Sequence, residues 1–195
     1  MDKKGIIKAE SRLRLAKKAA SELSGAKTYE EFADAWYAFL VALKNIYTVL
    51  EQGAKASPQS RQWFGGKAAE RRADELLQYL YEARNDDEHG LEPITTHQRP
   101  ELRVGVAKEG FSSAMSISMI GGVISSTSFD GKPVLIERTP EAFLLNNIQP
   151  RGRPSTAPPT KHMGVALEDV SPRNVASLAL TYMDTLVSEA AARAT

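Results

Sequence analysis

Apolar residues recur every three or four positions through the first half of the chain, the period of amphipathic helices. Ile6, Ala9, Leu13, Ala16, Ala20 and Leu23 form one stripe, which Ser24-Gly25 stops. Thr28 and Glu31 then make a capping-box pattern. Behind it Phe32, Trp36, Phe39, Leu43, Ile46 and Leu50 form a second, more aromatic stripe that ends at Gln52-Gly53. Ser57-Pro58 predicts a cap on a short turn carrying Trp63 and Phe64, broken by Gly65-Gly66. A third long helix is expected to carry Ala69, Ala73, Leu76, Leu80 and Ala83. Three helices of this length must bury their stripes against one another, so residues 1–92 are expected to form an antiparallel bundle.

After Pro93 the period changes to two. Leu102, Val104 and Val106 alternate with other residues, and Met115, Ile117 and Met119 interleave with Ser116 and Ser118. This is the pattern of half-buried strands. Gly121-Gly122 and Asp130-Gly131 are turn signals before residues 123–129 and 133–138. A four-stranded antiparallel β-meander is therefore expected over 101–139, with its serine and threonine face toward water. Residues 140–170 read as a connection, Pro-rich and irregular at 149–161. Ser171-Pro172 opens a last helix, 171–195, whose Val175, Leu178, Ala179, Tyr182, Leu186 and Ala190 need a partner. The predicted fold class is α+β: a mainly helical antiparallel bundle, with the meander inserted before a C-terminal helix that packs on the bundle.

Composition adds exclusions. Over 195 residues, 42% are hydrophobic and 25% charged, an ordinary globular balance that argues against disorder. Cysteine is absent, which removes disulfides and thiol chemistry and suits a reducing cytoplasm. No apolar run approaches the roughly 20 residues of a membrane span, and Met1–Gly5 leads into no signal-peptide core. A soluble cytoplasmic protein without a membrane partner is expected. The formal net charge is only +1. Residues 1–27, however, hold eight basic residues against Asp2, Glu10 and Glu22, so the first helix could follow a phosphate backbone or simply carry a solvated charged face.

The densest chemistry lies in Arg84-Asn85-Asp86-Asp87-Glu88-His89. Arginine is a permanent forked cation suited to phosphate oxygens, and histidine moves protons near neutral pH. On a continuous helix Asn85 and His89 share a face with Gln78 and Glu82, while Arg84 lies about 140° around from His89. The two converge on one phosphate only if the helix ends near Glu88 or if a second copy supplies one of them. Gly90 and Pro93 place a helix end close by. A structural alternative pairs Arg84 with Glu88 at i, i+4.

Other candidates carry less. His89, His97 and His162 have no metal-ligand spacing, so neither a metal nor a cofactor is expected. The glycines lack the strand–loop–helix context of a phosphate loop. Phe32, Trp36 and Phe39 read as core. Ser112, Ser116 and Ser118 have no histidine at a motif spacing. Arg151-Gly152-Arg153 reads as an exposed loop.

The Arg84-Asn85…His89 segment resembles the motif of HEPN domains, helical bundles of four or five helices in which an Arg, usually followed by a polar residue such as Asn, precedes a His by four to six positions. The resemblance covers roughly residues 5–92 and extends to 172–193, not the sheet. It implies a bacterial or phage-type soluble protein in which two-fold dimerisation joins two motif copies, as in the many members that are metal-independent ribonucleases. In such an enzyme His89 would assist attack of a 2′-hydroxyl on its own phosphate. Arg84 would stabilise charge on the phosphorus, and Asn85 would orient His89 or a phosphate oxygen. The chain departs from the pattern in carrying Asp86-Asp87-Glu88 where apolar residues are common, and Gly90-Leu91 where an aromatic often follows. These carboxylates repel a phosphate and favour the alternative, a non-catalytic helical module that uses its sheet and basic helix to bind a partner of unknown identity. In either case a homodimer through the helical half is expected, with RNA as the partner in the enzymatic case.

Overall fold

In the computed structural model the described residues are 1–89, 92–106, 115–120, 123–129, 132–149 and 154–194. They form two compact units, one of residues 1–96 and 143–195 and one of residues 97–142. The fold is α+β, mostly helical, with small antiparallel sheets.

In the larger unit, α1 (Lys3–Gly25) starts at Asp2, whose carboxylate accepts from the Lys4 N–H, and buries Ile6, Ala9, Leu13, Ala16, Ala19 and Leu23. α2 (Tyr29–Ala54) opens with the expected capping box of Thr28 and Glu31. Its aromatic stripe is core: Phe32, Trp36 and Phe39 are buried, with successive ring centroids 6.5 and 5.8 Å apart. α1 and α2 approach most closely at Gly5 and Gly53, where a Cβ on Gly5 would stand 2.9 Å from the Gly53 Cα. Glycine is needed there because the two backbones touch.

The third-helix expectation is corrected. α3 (Pro58–Ala73) runs straight through Gly65-Gly66, and α4 (Glu75–His89) is a separate helix. The glycines lower helix propensity without forbidding helix. The chain instead breaks at Asp74, whose backbone is extended (φ −90°, ψ 126°). Its carboxylate accepts from the Leu77 N–H at 2.9 Å, capping α4 from the position before its first residue. α3 buries only Ser60, whereas α4 buries Leu76, Leu77, Tyr79, Leu80 and Ala83.

α5 (Pro172–Ala191) begins at Ser171, whose hydroxyl accepts from the Asn174 N–H, with proline in the first turn as expected. It packs on α1, α2 and α4, burying Val175, Ala179, Tyr182, Met183 and Leu186. Its broad apolar face is thus covered within its own chain and supplies no argument for a dimer.

Strand β1 (Thr95–Gln98) pairs with β6 (Ala142–Leu145). Between them lie β2 (Glu101–Val106), β3 (Met115–Ile120), β4 (Val123–Phe129) and β5 (Lys132–Thr139). β3 pairs with β4 and β4 with β5, both antiparallel. β2 lies against β5, with Val104 opposite Ile136, so the order is β2-β5-β4-β3 and not that of a meander. The physical reason is local: two residues separate β3 from β4 and β4 from β5, whereas eight separate β2 from β3, so no tight turn holds β2 beside β3 and it takes its neighbour through a long-range pairing. The expected serine and threonine face of these strands rests on side chains outside those described.

The connection expected over 140–170 is more ordered than its composition suggests. Ile148 is buried and bridges Thr156. The Tyr79 hydroxyl donates to the Asn146 carbonyl at 2.8 Å. Residues 150–153, including Arg151-Gly152-Arg153, lie outside the described residues. β7 (Lys161–His162) and β8 (Val165–Ala166) then form a short hairpin around Met163-Gly164.

Candidate functional site at the two ends of helix 4

At its C-terminal end α4 carries the sequence motif without interruption as far as His89. Arg84 and Asn85 are half-buried, Asp86 is buried and Asp87 is exposed. The His89 side chain lies outside the described residues, as does that of Glu88. At 100° per residue, positions 84 and 89 lie about 140° apart around the helix axis. α4 closes at His89, one residue past Glu88 and directly before Gly90, the end that the sequence marks. Asp86 lies one turn on from buried Glu82, which accepts from Gln78 Nε2 at 2.6 Å. Asp86 thus turns into the bundle, leaving Asp87 as the described carboxylate that faces solvent beside the motif.

At its N-terminal end α4 holds an arrangement that sequence reasoning missed. Asp74 is 8% exposed, and its two oxygens receive three partners. Oδ1 accepts from the Leu77 N–H at 2.9 Å and lies 3.0 Å from His162 Nδ1. Oδ2 accepts from the Met163 N–H at 2.6 Å. An ionised carboxylate only accepts, so His162 Nδ1 is the donor. Burial pushes the Asp74 pKa up, but the hydrogen bonds from Leu77, Met163 and His162 outweigh it and hold the carboxyl below its ordinary 3.8.

Asp74 thus ties the β7–β8 hairpin to α4 while capping that helix. The hairpin is tight, with Met163 at φ 50° and Gly164 at φ 78°. Positive φ at both central positions fits a two-residue hairpin turn, and the methionine is strained there. Glu75, next in line, accepts from the Thr160 N–H and hydroxyl at 3.1 and 2.9 Å. The Asp74 signal was readable in part, since an aspartate before an apolar period is a helix start. Its link to His162, 88 residues away, leaves no trace in local spacing.

Behind His162 the ring of Tyr182 stands edge-on at 6.2 Å. Burial pushes the Tyr182 hydroxyl pKa up, and that of Tyr47 to about 12, so both stay protonated at neutral pH. The Arg71 guanidinium lies 3.8 Å from the Tyr81 ring centroid and 5.2 Å from that of Tyr47. Tyr47, Arg71 and Tyr81 border a cavity of about 20 Å³, water-sized. With its oxygens taken up by the hairpin and helix, Asp74 serves as a clamp.

The histidines do not assemble. His97 pairs with Glu141 at 2.7 Å and His162 with Asp74, and no group of three metal-binding side chains occurs among the described residues. No helix among them is long and apolar enough to cross a membrane. No protein family, no curated protein and no solved structure matches this chain.

Proposed function

We propose that the helical unit is a HEPN-like module that cleaves RNA without a metal, as a homodimer in which each phosphate meets Arg84 of one copy and His89 of the other. The observation that carries this reading is the position of the motif: Arg84, Asn85 and His89 close α4, the fourth of the five helices among the described residues, with positions 84 and 89 about 140° apart around it. A second copy related by a two-fold axis supplies what one helix cannot. In the composite site Arg84 stabilises charge on the phosphorus and His89 moves the proton, the two contributions that phosphodiester transfer needs most. Asn85 orients the histidine or a phosphate oxygen.

One observation favours a second reading, a non-catalytic module that binds a protein: Asp87 is exposed beside the motif and opposes an approaching phosphate. The experiment separates the two. Light scattering should give twice the 21.3 kDa chain mass, and wild type should cleave single-stranded RNA with chelator present. His89→Ala should abolish cleavage. A 21.3 kDa species, or no cleavage across varied RNAs, puts the binding module ahead.

A further inference from the structure

The outer face of α1 combines two features that the motif does not use. Lys4, Lys8, Arg14 and Lys18 are exposed on it, and so are Ile7 and Leu15, at 64% and 47%. At 100° and 1.5 Å per residue these six share an arc of about 120° and a length of about 21 Å. Ile7 and Leu15 stand about 12 Å apart along the axis, with the small Ser11 between them. No carboxylate lies within the strip. Glu10 falls on its flank, and Glu22 lies beyond Lys18, which it pairs at 3.6 Å. Lys17, also off the strip, is held by Asp184 at 2.6 Å. Lys3, Lys4, Lys8 and Arg14 have no ion-pair partner among the described residues. The opposite face of α1 is spent on the core, so the strip is a finished surface of the folded bundle.

We infer that this strip docks the protein on an anionic lipid bilayer, the four cations on phosphate and carboxylate headgroups and Ile7 and Leu15 in the acyl boundary beneath them. Charge complementarity selects a polyanion, and the apolar pair decides which one. Against a nucleic-acid backbone, Ile7 and Leu15 would lose water to charged phosphates with nothing gained, and the strip has no aromatic residue for base stacking. Against a bilayer the same two side chains leave water for hydrocarbon while the surrounding cations stay at the headgroups. The sequence alone indicates no membrane partner; the exposure of Ile7 and Leu15 does. The inference concerns α1 and stands or falls separately from the chemistry proposed on α4.

The test is vesicle sedimentation of the full chain with phosphatidylcholine vesicles containing about 30% phosphatidylserine, and with phosphatidylcholine alone. Binding should require phosphatidylserine and weaken with salt. A basic side chain near an anionic leaflet is worth about fivefold in affinity, so Lys4→Gln/Lys8→Gln should lose about 25-fold. Ile7→Ser/Leu15→Ser should lose about tenfold on vesicles while leaving retention on a heparin column unchanged. Arg61→Gln/Arg72→Gln, exposed on α3, should bind vesicles like wild type. Circular dichroism confirms that each variant keeps its helices. Absence of phosphatidylserine-dependent binding overturns the inference. So does vesicle binding untouched by Ile7→Ser/Leu15→Ser, and so does a preference for single-stranded RNA over vesicles that the same variant leaves intact, which makes the face a nucleic-acid track.

Discussion

The two ends of α4 use polar side chains in opposite ways. At the first end a buried carboxylate meets three partners and fixes a helix cap, a hairpin and a histidine together. At the second, Arg84 and His89 hold positions about 140° apart around one helix, which we propose a second copy completes into a site. Satisfied polar groups build structure, whereas groups whose chemistry is incomplete in one copy direct attention to a second molecule.

The sharpest way to break this contrast is Asp74→Ala. It removes a helix cap and leaves the Met163 N–H and the His162 ring without their acceptor. Denaturant unfolding should show a loss of about 2–4 kcal/mol. Asp87→Ala, exposed at the other end, should change stability by no more than about 0.5 kcal/mol. Equal losses would mean that both ends are structural.

Acid gives the next largest effect. Because folding lowers the Asp74 pKa, the carboxylate stabilises the protein fully above its ordinary 3.8, and that contribution is lost as pH falls through the lower folded value. Unfolding free energy should therefore drop below about pH 4, and Asp74→Asn should flatten that limb. A limb unchanged in the variant would assign the acid response to other carboxylates, Glu75 and Glu189 first, since both also titrate below their ordinary range.

Smaller gains should come from the segments that Asp74 joins. Gly65 and Gly66 are helical and exposed, and a Cβ on either meets nothing within 4 Å. Gly65→Ala/Gly66→Ala should add about 1–2 kcal/mol, read as a higher Tm. Met163→Gly should add less than about 1 kcal/mol by removing the strain at φ 50°. A loss in either variant would show that packing, and not backbone preference, limits these segments.

Legibility in the sequence followed the range of the interaction. The stripes of α1 and α2, the Thr28–Glu31 capping box and the Ser171-Pro172 helix start were readable because each is set within a few residues. α3 is hard to read because Gly65-Gly66 weakens a helix without ending it, while the break falls at Asp74, a plain cap residue. The place of β2 beside β5 depends on a pairing across some thirty residues, and the Asp74–His162 contact on one across 88. Neither is encoded in a local period. At the candidate site Gly90 and Pro93 mark the helix end, and α4 closes at His89, whereas what Arg84 and His89 meet is set by no local period.

Mixing variants tests the composite site most directly. Arg84→Ala and His89→Ala protomers, each inactive alone, should be combined, allowed to exchange, and assayed on single-stranded RNA with chelator present. If each site takes its arginine from one copy and its histidine from the other, a heterodimer of the two variants holds one intact site and one empty of both groups. With half of all dimers mixed at random exchange, activity should return to about a quarter of wild type, as expected for a two-fold site. A mixture that exchanges subunits yet stays as inactive as its components, beside an active wild type, would contradict the composite site and place Arg84 and His89 in one chain's own chemistry.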